Sequence, residues 1–255
     1  MNFWFKNKDI VVDCFTADPF TYEYCRVAPA SKYLPQWWKT LPVENKNSNM
    51  KSCRGFTQLY KNSFILPYWN TMEITVNKNT VKTFNWKTSV DLNVGGELLS
   101  IHDSAQYKDF TLGYDYQHIK IKNTWLFKTN SLVEFLWSDP VWNRPDLNNY
   151  TVLPGVVDYK YNHATNTNIM FEYKPFPYTI IIPAGYPLVM LTPLTEKNII
   201  FKYNLISPDH YNSIDNQYNQ QTINKTDNLY NNKKKFITEY EERNKPKCPF
   251  GFGSK

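Results

Sequence analysis

The chain has 255 residues, of which 17% are aromatic, including 19 Tyr and 8 Trp. Aromatic side chains favour pleated, half-buried surfaces, so this composition indicates a β-rich globular protein. The net charge is +6, but seven basic and three acidic residues, 7 − 3 = +4, fall between Lys233 and Lys255. The near-neutral body lacks the dense basic face of a nucleic-acid-binding protein, and only the basic tail is suited to weak contact with nucleic acid.

Cysteine spacing and hydropathy exclude several further classes. The four cysteines form no C-x-x-C pair, which removes the spacing of a zinc ribbon or a thioredoxin motif. No N-terminal stretch resembles a signal peptide, and no window approaches the roughly 18 apolar residues of a membrane helix. We therefore expect free thiols, no membrane contact and a protein that is not secreted.

The first third of the chain predicts short strands and one short helix. An apolar run, "IVVDCF", ends at Asp18-Pro19. In "APASKYLPQWWKTLP", Ser31 is placed to cap a helix and Pro42 to stop it, with Trp37 and Trp38 forming an apolar plug against a sheet. Next, "MEITV" and "TVKTFNW" each alternate in strand fashion around Asn-Lys-Asn, which predicts a hairpin.

The remaining body predicts further strands. "HIKIKNTWLFKTN" alternates apolar and polar residues, and "PAG" at 183 to 185 predicts a tight turn between the buried strands "TIII" and "PLVML". Short strands broken by Pro, Gly and Asn are typical of sandwiches and barrels. We predict one mainly β domain over residues 1–206, an antiparallel two-sheet sandwich of jelly-roll or cupin-like type with one or two short helices.

The last fifty residues differ in composition from this domain. Residues 207–232 are polar and rich in Asn, which predicts a linker or an extended arm that orders against a partner. Residues 233–255 predict a basic C-terminal helix followed by a turn-rich tail.

Two histidines suggest a metal site. His102 and His118 are sixteen positions apart, and Asp103 follows the first. Jelly-roll oxygenases hold a divalent metal such as iron with two His and one carboxylate, so His102, His118 and Asp103 are candidate ligands, with Asp158 as the alternative carboxylate. Because successive strand residues point to opposite faces, His102 and Asp103 can share an ion only from a loop. The alternative is that both histidines make structural hydrogen bonds.

Other catalytic motifs are missing: there is no G-x-S-x-G, P-loop or G-x-G-x-x-G. A carbohydrate-binding module is a further hypothesis, since tryptophans can form stacking platforms. Core packing is the alternative for most of them. Trp142, in the proline-bracketed loop "SDPVWNRPDLNN", is the one for which we most expect exposure. The other candidates are Trp37, Trp38, Trp69, Trp86, Trp125 and Trp137.

Several motifs recur in a fixed order between residues 28 and 205. They are His102 followed by Gln106, the step Trp125-x-x-Lys128-Thr129, "GVVD" ending at Asp158, and "IPAGYP" at 182 to 187. In this order they resemble an uncharacterised family of marine tailed-phage proteins, and more distantly a bacterial domain of unknown function. Asp103 departs from the pattern, which usually has proline after the histidine.

The resemblance implies an origin and a fold class but no chemical mechanism. It implies a β-rich viral protein found in the cytoplasm of the infected host cell or in the virion. It also suggests one candidate pocket, formed by His102, Gln106, Trp125, Lys128 and Asp158. The function we expect first is a phage-like structural or accessory binding protein that acts through contacts with a protein partner or with itself. The alternatives are the metal-dependent oxygenase or tailoring enzyme and the carbohydrate-binding module.

Overall fold

The computed structural model describes residues 9–42, 49–78, 82–90, 97–107, 109, 115–144, 149–223, 234 and 238. The α-helices are α1 Pro19–Tyr24, α2 Gln36–Thr40, α3 Arg54–Asn62 and α4 Pro208–Ile223. The strands are β1 Ile10–Thr16, β2 Ala28–Pro29, β3 Phe64–Pro67, β4 Met72–Lys78, β5 Lys82–Thr88, β6 Leu99–His102, β7 Tyr116–Ile121, β8 Leu126–Lys128, β9 Glu134–Ser138, β10 Thr151–Val152, β11 Gly155–Asp158, β12 Thr167–Glu172, β13 Tyr178–Ile182, β14 Pro187–Pro193 and β15 Ile199–Leu205.

These strands form four sheets. Their strand orders are β15-β1-β8, β10-β12-β7-β6, β11-β9-β14-β3-β2 and β13-β4-β5. The mainly β, sandwich-like class predicted from the sequence is confirmed. The structure adds two features: the strands divide among four sheets instead of two, and β1 runs parallel to β15 while the other pairs are antiparallel.

Local predictions within the sheets are confirmed where the alternation was strict. The strands β4 and β5 pair from Met72↔Thr88 to Lys78↔Lys82, as the predicted hairpin requires. The tight turn after β13 is present: Gly185 has φ +77 and its N–H donates to the carbonyl of Tyr68 at 2.7 Å. A positive φ favours glycine. This turn carries the chain from one sheet to another, because β13 and β14 pair with different strands.

The main hydrophobic core is lined by all four sheets. It contains Val12 of β1, Ile74 of β4, Ile119 of β7 and Leu191 of β14, all fully buried. Val12 and Ile74 lie on the inward sides of strands with alternating exposure, whereas β14 is buried on both sides from Pro187 to Leu191. A second, smaller cluster lies beneath α3, where Phe56 and Tyr60 are buried against the outer side of β3 and β14 through Ile65 and Met190. Phe56 and Tyr60 of α3 therefore belong to an apolar cluster separate from the main core.

The helix predicted around Ser31 differs from the structure. Ser31 lies inside a short 3₁₀ helix, Ala30–Tyr33, and α2 begins after Pro35 without a side-chain cap. Pro35 separates the two turns because the residue before a proline is biased away from helical backbone. The predicted stop holds, since α2 ends at Thr40, two residues before Pro42.

The predicted linker or extended arm begins as a helix instead. Residues Pro208–Ile223 form α4. The hydroxyl oxygen of Ser207, just before the helix, accepts the main-chain N–H of His210. Tyr211 is buried against Leu126, and Lys122 pairs with Asp215 at 3.4 Å. Polar composition concealed this helix, because its anchoring depends mainly on one buried aromatic side chain.

Most of the predicted basic helix and tail lies outside the described residues, and Lys234 and Thr238 are helical. No helix in the described part of the chain is both long and apolar enough to cross a membrane.

Candidate binding site

The two histidines of the sequence analysis do meet. Strands β6 and β7 pair antiparallel, and their register places His102 directly opposite His118. The two imidazole rings stack with centroids 4.1 Å apart and planes 9° apart. Strand pairing therefore explains how residues sixteen positions apart come into contact.

Hydrogen bonds fix the protonation of His118. Its Nε2 lies 3.2 Å from Oδ1 of Asn168, and its Nδ1 is hydrogen-bonded to the hydroxyl of Tyr107. Since the amide oxygen of Asn168 only accepts, Nε2 carries the hydrogen and Nδ1 accepts from Tyr107. Burial lowers the pKa of His118, and the charges of His102 and Lys120 lower it further, against the hydrogen bond to Asn168. The geometry and the pKa direction both favour the neutral ring.

The predicted metal site is not assembled. The described residues contain no group of three or more His, Cys, Asp and Glu side chains placed to hold a metal ion. Stacked rings keep their nitrogens in two parallel planes, and both nitrogens of His118 already have partners. The carboxylate of Asp103 instead accepts the N–H of Ala105 at 2.9 Å and starts a 3₁₀ helix, Ser104–Tyr107. Asp158, the alternative carboxylate, lies in a different sheet.

The five residues of the predicted pocket are spread over different elements. His102 ends β6, and Gln106 is exposed on the 3₁₀ helix that follows. Lys128 is exposed at the end of β8, and Asp158 ends β11, where its Oδ1 accepts the N–H of the residue two positions later. Trp125 is fully buried and donates its Nε1–H to the carbonyl of Cys25 at 2.8 Å, so it belongs to the core. Convergence of the other four residues remains a prediction.

A more complete site is formed by two tryptophans. Trp37 on α2 and Trp142 on the 3₁₀ helix Val141–Asn143 are 38% and 42% exposed. Their rings lie 5.9 Å apart at an interplanar angle of 46°, and the buried Phe56 contacts both, at 5.8 and 5.5 Å. The two indoles thus form the walls of an open corner with a phenyl ring behind it.

This corner opens onto a recess of about 360 Å³. We call it the tryptophan cleft; its lining includes Tyr33, Gln36, Trp37, Trp142, Arg144 and Tyr186. The volume lies near the lower end of the range of ligand-binding pockets, about 300–1,000 Å³. Aromatic walls with a few polar groups are the usual composition of such pockets.

Hydrogen bonds from four separate segments hold the segment that carries Trp142. The Nε1–H of Trp37 donates to the carbonyl of Trp142 at 3.1 Å. The side chain of Asn143 donates to the carbonyl of Tyr33 and accepts from the hydroxyl of Tyr60 at 2.6 Å. The hydroxyl of Tyr186 donates to the main-chain carbonyl of Asn143 at 3.0 Å. The cleft is therefore preorganised, although its walls come from distant parts of the chain.

Arg144 supplies a buried cation beside the cleft. Its side chain is only 2% exposed, and Nη2 donates to Oδ2 of Asp139 at 2.7 Å while Nη1 donates to the carbonyl of Tyr150. The Nε–H is buried and has no hydrogen-bond acceptor among the described residues. The guanidinium charge is thus balanced by a carboxylate.

Sequence reasoning found half of this site. The predicted exposure of Trp142 is confirmed, but Trp37 was predicted to be part of an apolar plug. Adjacent residues on a helix point about 100° apart, since one turn takes about 3.6 residues. Trp37 and Trp38 both contact Phe56, at 5.8 and 5.7 Å, and Trp37 nevertheless keeps 38% of its surface exposed. A Trp-Trp dipeptide on a short helix places its two indoles in different surroundings, and this feature could have identified Trp37 from the sequence.

A second recess, of about 520 Å³, lies between β5 and β6, each of which is the outer strand of its sheet. Trp86 and Ile101 line it and are 40% and 61% exposed, although their cross-strand partners Ile74 and Ile119 are fully buried. It exposes apolar side chains, and its described residues show no hydrogen-bonded frame like that of the tryptophan cleft.

Comparison with known proteins adds no relative: no protein-family model matches the chain, and neither does any curated protein. The resemblance to phage proteins therefore stays a prediction, and the arguments that follow rest on the geometry of the molecule.

Proposed function

We propose that this chain is a non-catalytic binding protein that recognises its ligand in the tryptophan cleft. One observation carries the proposal: Trp37 and Trp142 are held at a fixed angle by hydrogen bonds while large parts of both rings remain in water. Large aromatic side chains at rigid, concave positions are the residues that contribute most to binding energy.

The rigid frame around Asn143 supports the same proposal. Binding is weakened by the entropy lost when side chains and loops become ordered. Here Tyr33, Tyr60 and Tyr186 already fix the loop before any ligand arrives. A ligand that covers the exposed indole faces would gain about 25 cal/mol for each Å² of apolar surface removed from water. Little of that gain would then be offset by ordering of the site.

A second candidate function is contact with a protein partner at the free sheet edges, in keeping with the predicted role as a phage structural or accessory protein. Outer strands offer unpaired main-chain groups to an incoming strand, and natural proteins commonly cover or protect such edges. The exposed Ile101 and Trp86 beside the recess between β5 and β6 favour this surface for such a contact.

Substitution of exposed tryptophans separates the two candidates. We would apply the full-length protein to glycan and peptide arrays and compare it with Trp37→Ala/Trp142→Ala and with Trp86→Ala. Trp86 is a matched control because it is 40% exposed but lies outside the cleft. We expect signals that disappear in the double variant and persist in Trp86→Ala. Signals lost only in Trp86→Ala would favour the sheet edges, and signals kept by both variants would reject both surfaces.

A further inference from the structure

We infer that the ligand of the tryptophan cleft is a neutral saccharide, bound with one sugar ring in the corner between Trp37 and Trp142. The inference rests on the proposed function, to which it adds the chemical class of the ligand.

The charge of the cleft argues for a neutral ligand. Among the described residues that line it, Arg144 is the one charged side chain. Its guanidinium is buried and already paired with Asp139 at 2.7 Å. A carboxylate, sulfate or ammonium group entering the cleft would lose hydration without gaining a free counter-charge, and burying an unpaired charge is strongly unfavourable.

The aromatic corner suits the shape of a sugar ring. A pyranose presents faces of C–H groups and a rim of hydroxyls, so it combines an apolar surface with polar edges. The indoles of Trp37 and Trp142, 5.9 Å apart and tilted by 46°, offer two apolar faces on adjoining sides. A ring can stack on one indole while its edge contacts the other. Two parallel faces would instead favour a flat heteroaromatic ligand.

The polar groups of the cleft match hydroxyl groups, which both donate and accept hydrogen bonds. Gln36 is exposed at the rim, and its amide provides two donors and an acceptor. The hydroxyl of Tyr33 can act either way, and burial raises its pKa, which keeps it protonated.

A proline-rich peptide is the competing occupant, because aromatic grooves also bind polyproline segments. The contacts favour the sugar. The Nε1–H of Trp37, a donor that could meet a peptide carbonyl, is already used by the carbonyl of Trp142. The recess also has a volume of only about 360 Å³, which suits a single ring better than an extended peptide segment.

Isothermal titration calorimetry with the full-length protein tests the inference. The probes are methyl glycosides and short oligomers of neutral hexoses and deoxyhexoses, the corresponding uronic acids, and a proline-rich decapeptide. We expect neutral glycosides to bind and uronic acids to bind more weakly. Trp142→Ala should weaken glycoside binding by roughly tenfold or more, about 1.4 kcal/mol, and Trp142→Phe by less. Trp86→Ala should bind as the unmodified protein does.

The possible failures are distinguishable. Binding of the peptide alone, lost in Trp142→Ala, would overturn the saccharide inference and leave the cleft as the binding site. Tighter binding of uronic acids would overturn the argument from charge. Glycoside binding that Trp37→Ala and Trp142→Ala leave unchanged would reject both the inference and the proposed function. If no neutral glycoside binds, the saccharide inference is wrong. Circular dichroism of each variant confirms that a loss of binding does not result from unfolding.

Discussion

Two aromatic regions of this molecule contain the same residue types but differ in their exposure to water. In the main core, the ring of Trp125 lies 5.5 Å from that of Tyr203, and nearby in sequence the ring of Phe127 lies 5.0 Å from that of Tyr159. In the second region, the indoles of Trp37 and Trp142 pack against the buried ring of Phe56 and remain partly exposed to water. The first region is closed on every side, whereas the second ends in an open cleft.

The two regions also differ in what the hydrogen bond of the indole N–H group holds together. Trp125 donates to the carbonyl of Cys25 inside the core, where an unpaired N–H would be costly. Trp37 donates to the carbonyl of Trp142, so its hydrogen bond holds one wall of the cleft to the other. Burial makes the first tryptophan a source of stability. Fixed exposure makes the second pair suited to recognition.

The largest effect should come from Trp125→Ala. The change removes a fully buried side chain and leaves the carbonyl of Cys25 without its donor. Large-to-small changes of this kind cost about 3–5 kcal/mol. Urea unfolding followed by circular dichroism measures the loss. A change below about 1 kcal/mol would show that the two aromatic regions do not differ in the way described.

Asn143→Ala should have an intermediate effect. It removes the acceptor of the Tyr60 hydroxyl and the donor to Tyr33, and groups left unpaired at partly buried sites cost about 1–3 kcal/mol. Because Asn143 positions Trp142 without presenting its own amide freely, ligand binding should weaken as well. Tyr60→Phe is the control, since it removes one of these bonds and leaves Asn143 in place. Unchanged unfolding and binding in Asn143→Ala would mean that the loop is held by its main chain alone.

Trp142→Ala should reverse the pattern seen at Trp125. The side chain is 42% exposed, so stability should fall by no more than about 1 kcal/mol. Binding, in contrast, should be lost or weakened by roughly tenfold or more, which is about 1.4 kcal/mol. Thermal unfolding and calorimetry on the same sample give both values. A variant that unfolds much earlier yet still binds would contradict the assignment of this residue to recognition.

The smallest expected effect is a loss of folding stability in acid, which should involve the buried histidines and not the cleft. Burial lowers the pKa of His163, with the Lys128 charge adding to the shift, against hydrogen bonds to the carbonyls of Phe127 and Tyr159. His118 is shifted in the same direction. Because the folded pKa lies below the unfolded value, the unfolded state takes up protons first as the pH falls. Stability should therefore be full above the ordinary histidine pKa of about 6.5 and decline below it.

The cleft should not respond to this titration. The described residues of its lining include no His, Asp or Glu, so ligand affinity per folded molecule should be equal at pH 5.5 and 7.5. We expect His163→Gln to flatten the pH dependence of stability, as measured by urea unfolding at pH 5.5 and 7.5. If ligand affinity decreases in acid together with stability, the cleft and the core are coupled, which would contradict the distinction between the two regions.

The fold was predictable where one signal dominated. Strict alternation in "MEITV" and "TVKTFNW" predicted the hairpin of β4 and β5, and the prolines around Trp142 predicted its exposure. Composition failed at α4, because the anchoring of Tyr211 against Leu126 is a tertiary contact that a polar sequence does not reveal.

The site was less predictable, because its walls come from distant segments. Trp37 and Trp142 are 105 positions apart, and no local pattern indicates that they meet. His102 and His118 were singled out as candidate metal ligands, but whether and how their rings meet depended on the strand register. Pairing directly opposite each other stacks the rings, an arrangement that a list of metal-ligating residue types cannot show.

The most direct test of the central claim is the indole N–H region of a two-dimensional ¹H–¹⁵N spectrum during titration with neutral glycosides. The chain has eight tryptophans, each giving one signal, and Trp37→Phe and Trp142→Phe assign the two from the cleft. The account predicts that these two signals shift in a saturable way while that of Trp125 stays fixed. Saturable shifts confined to other tryptophans, or none at any glycoside concentration, would contradict it.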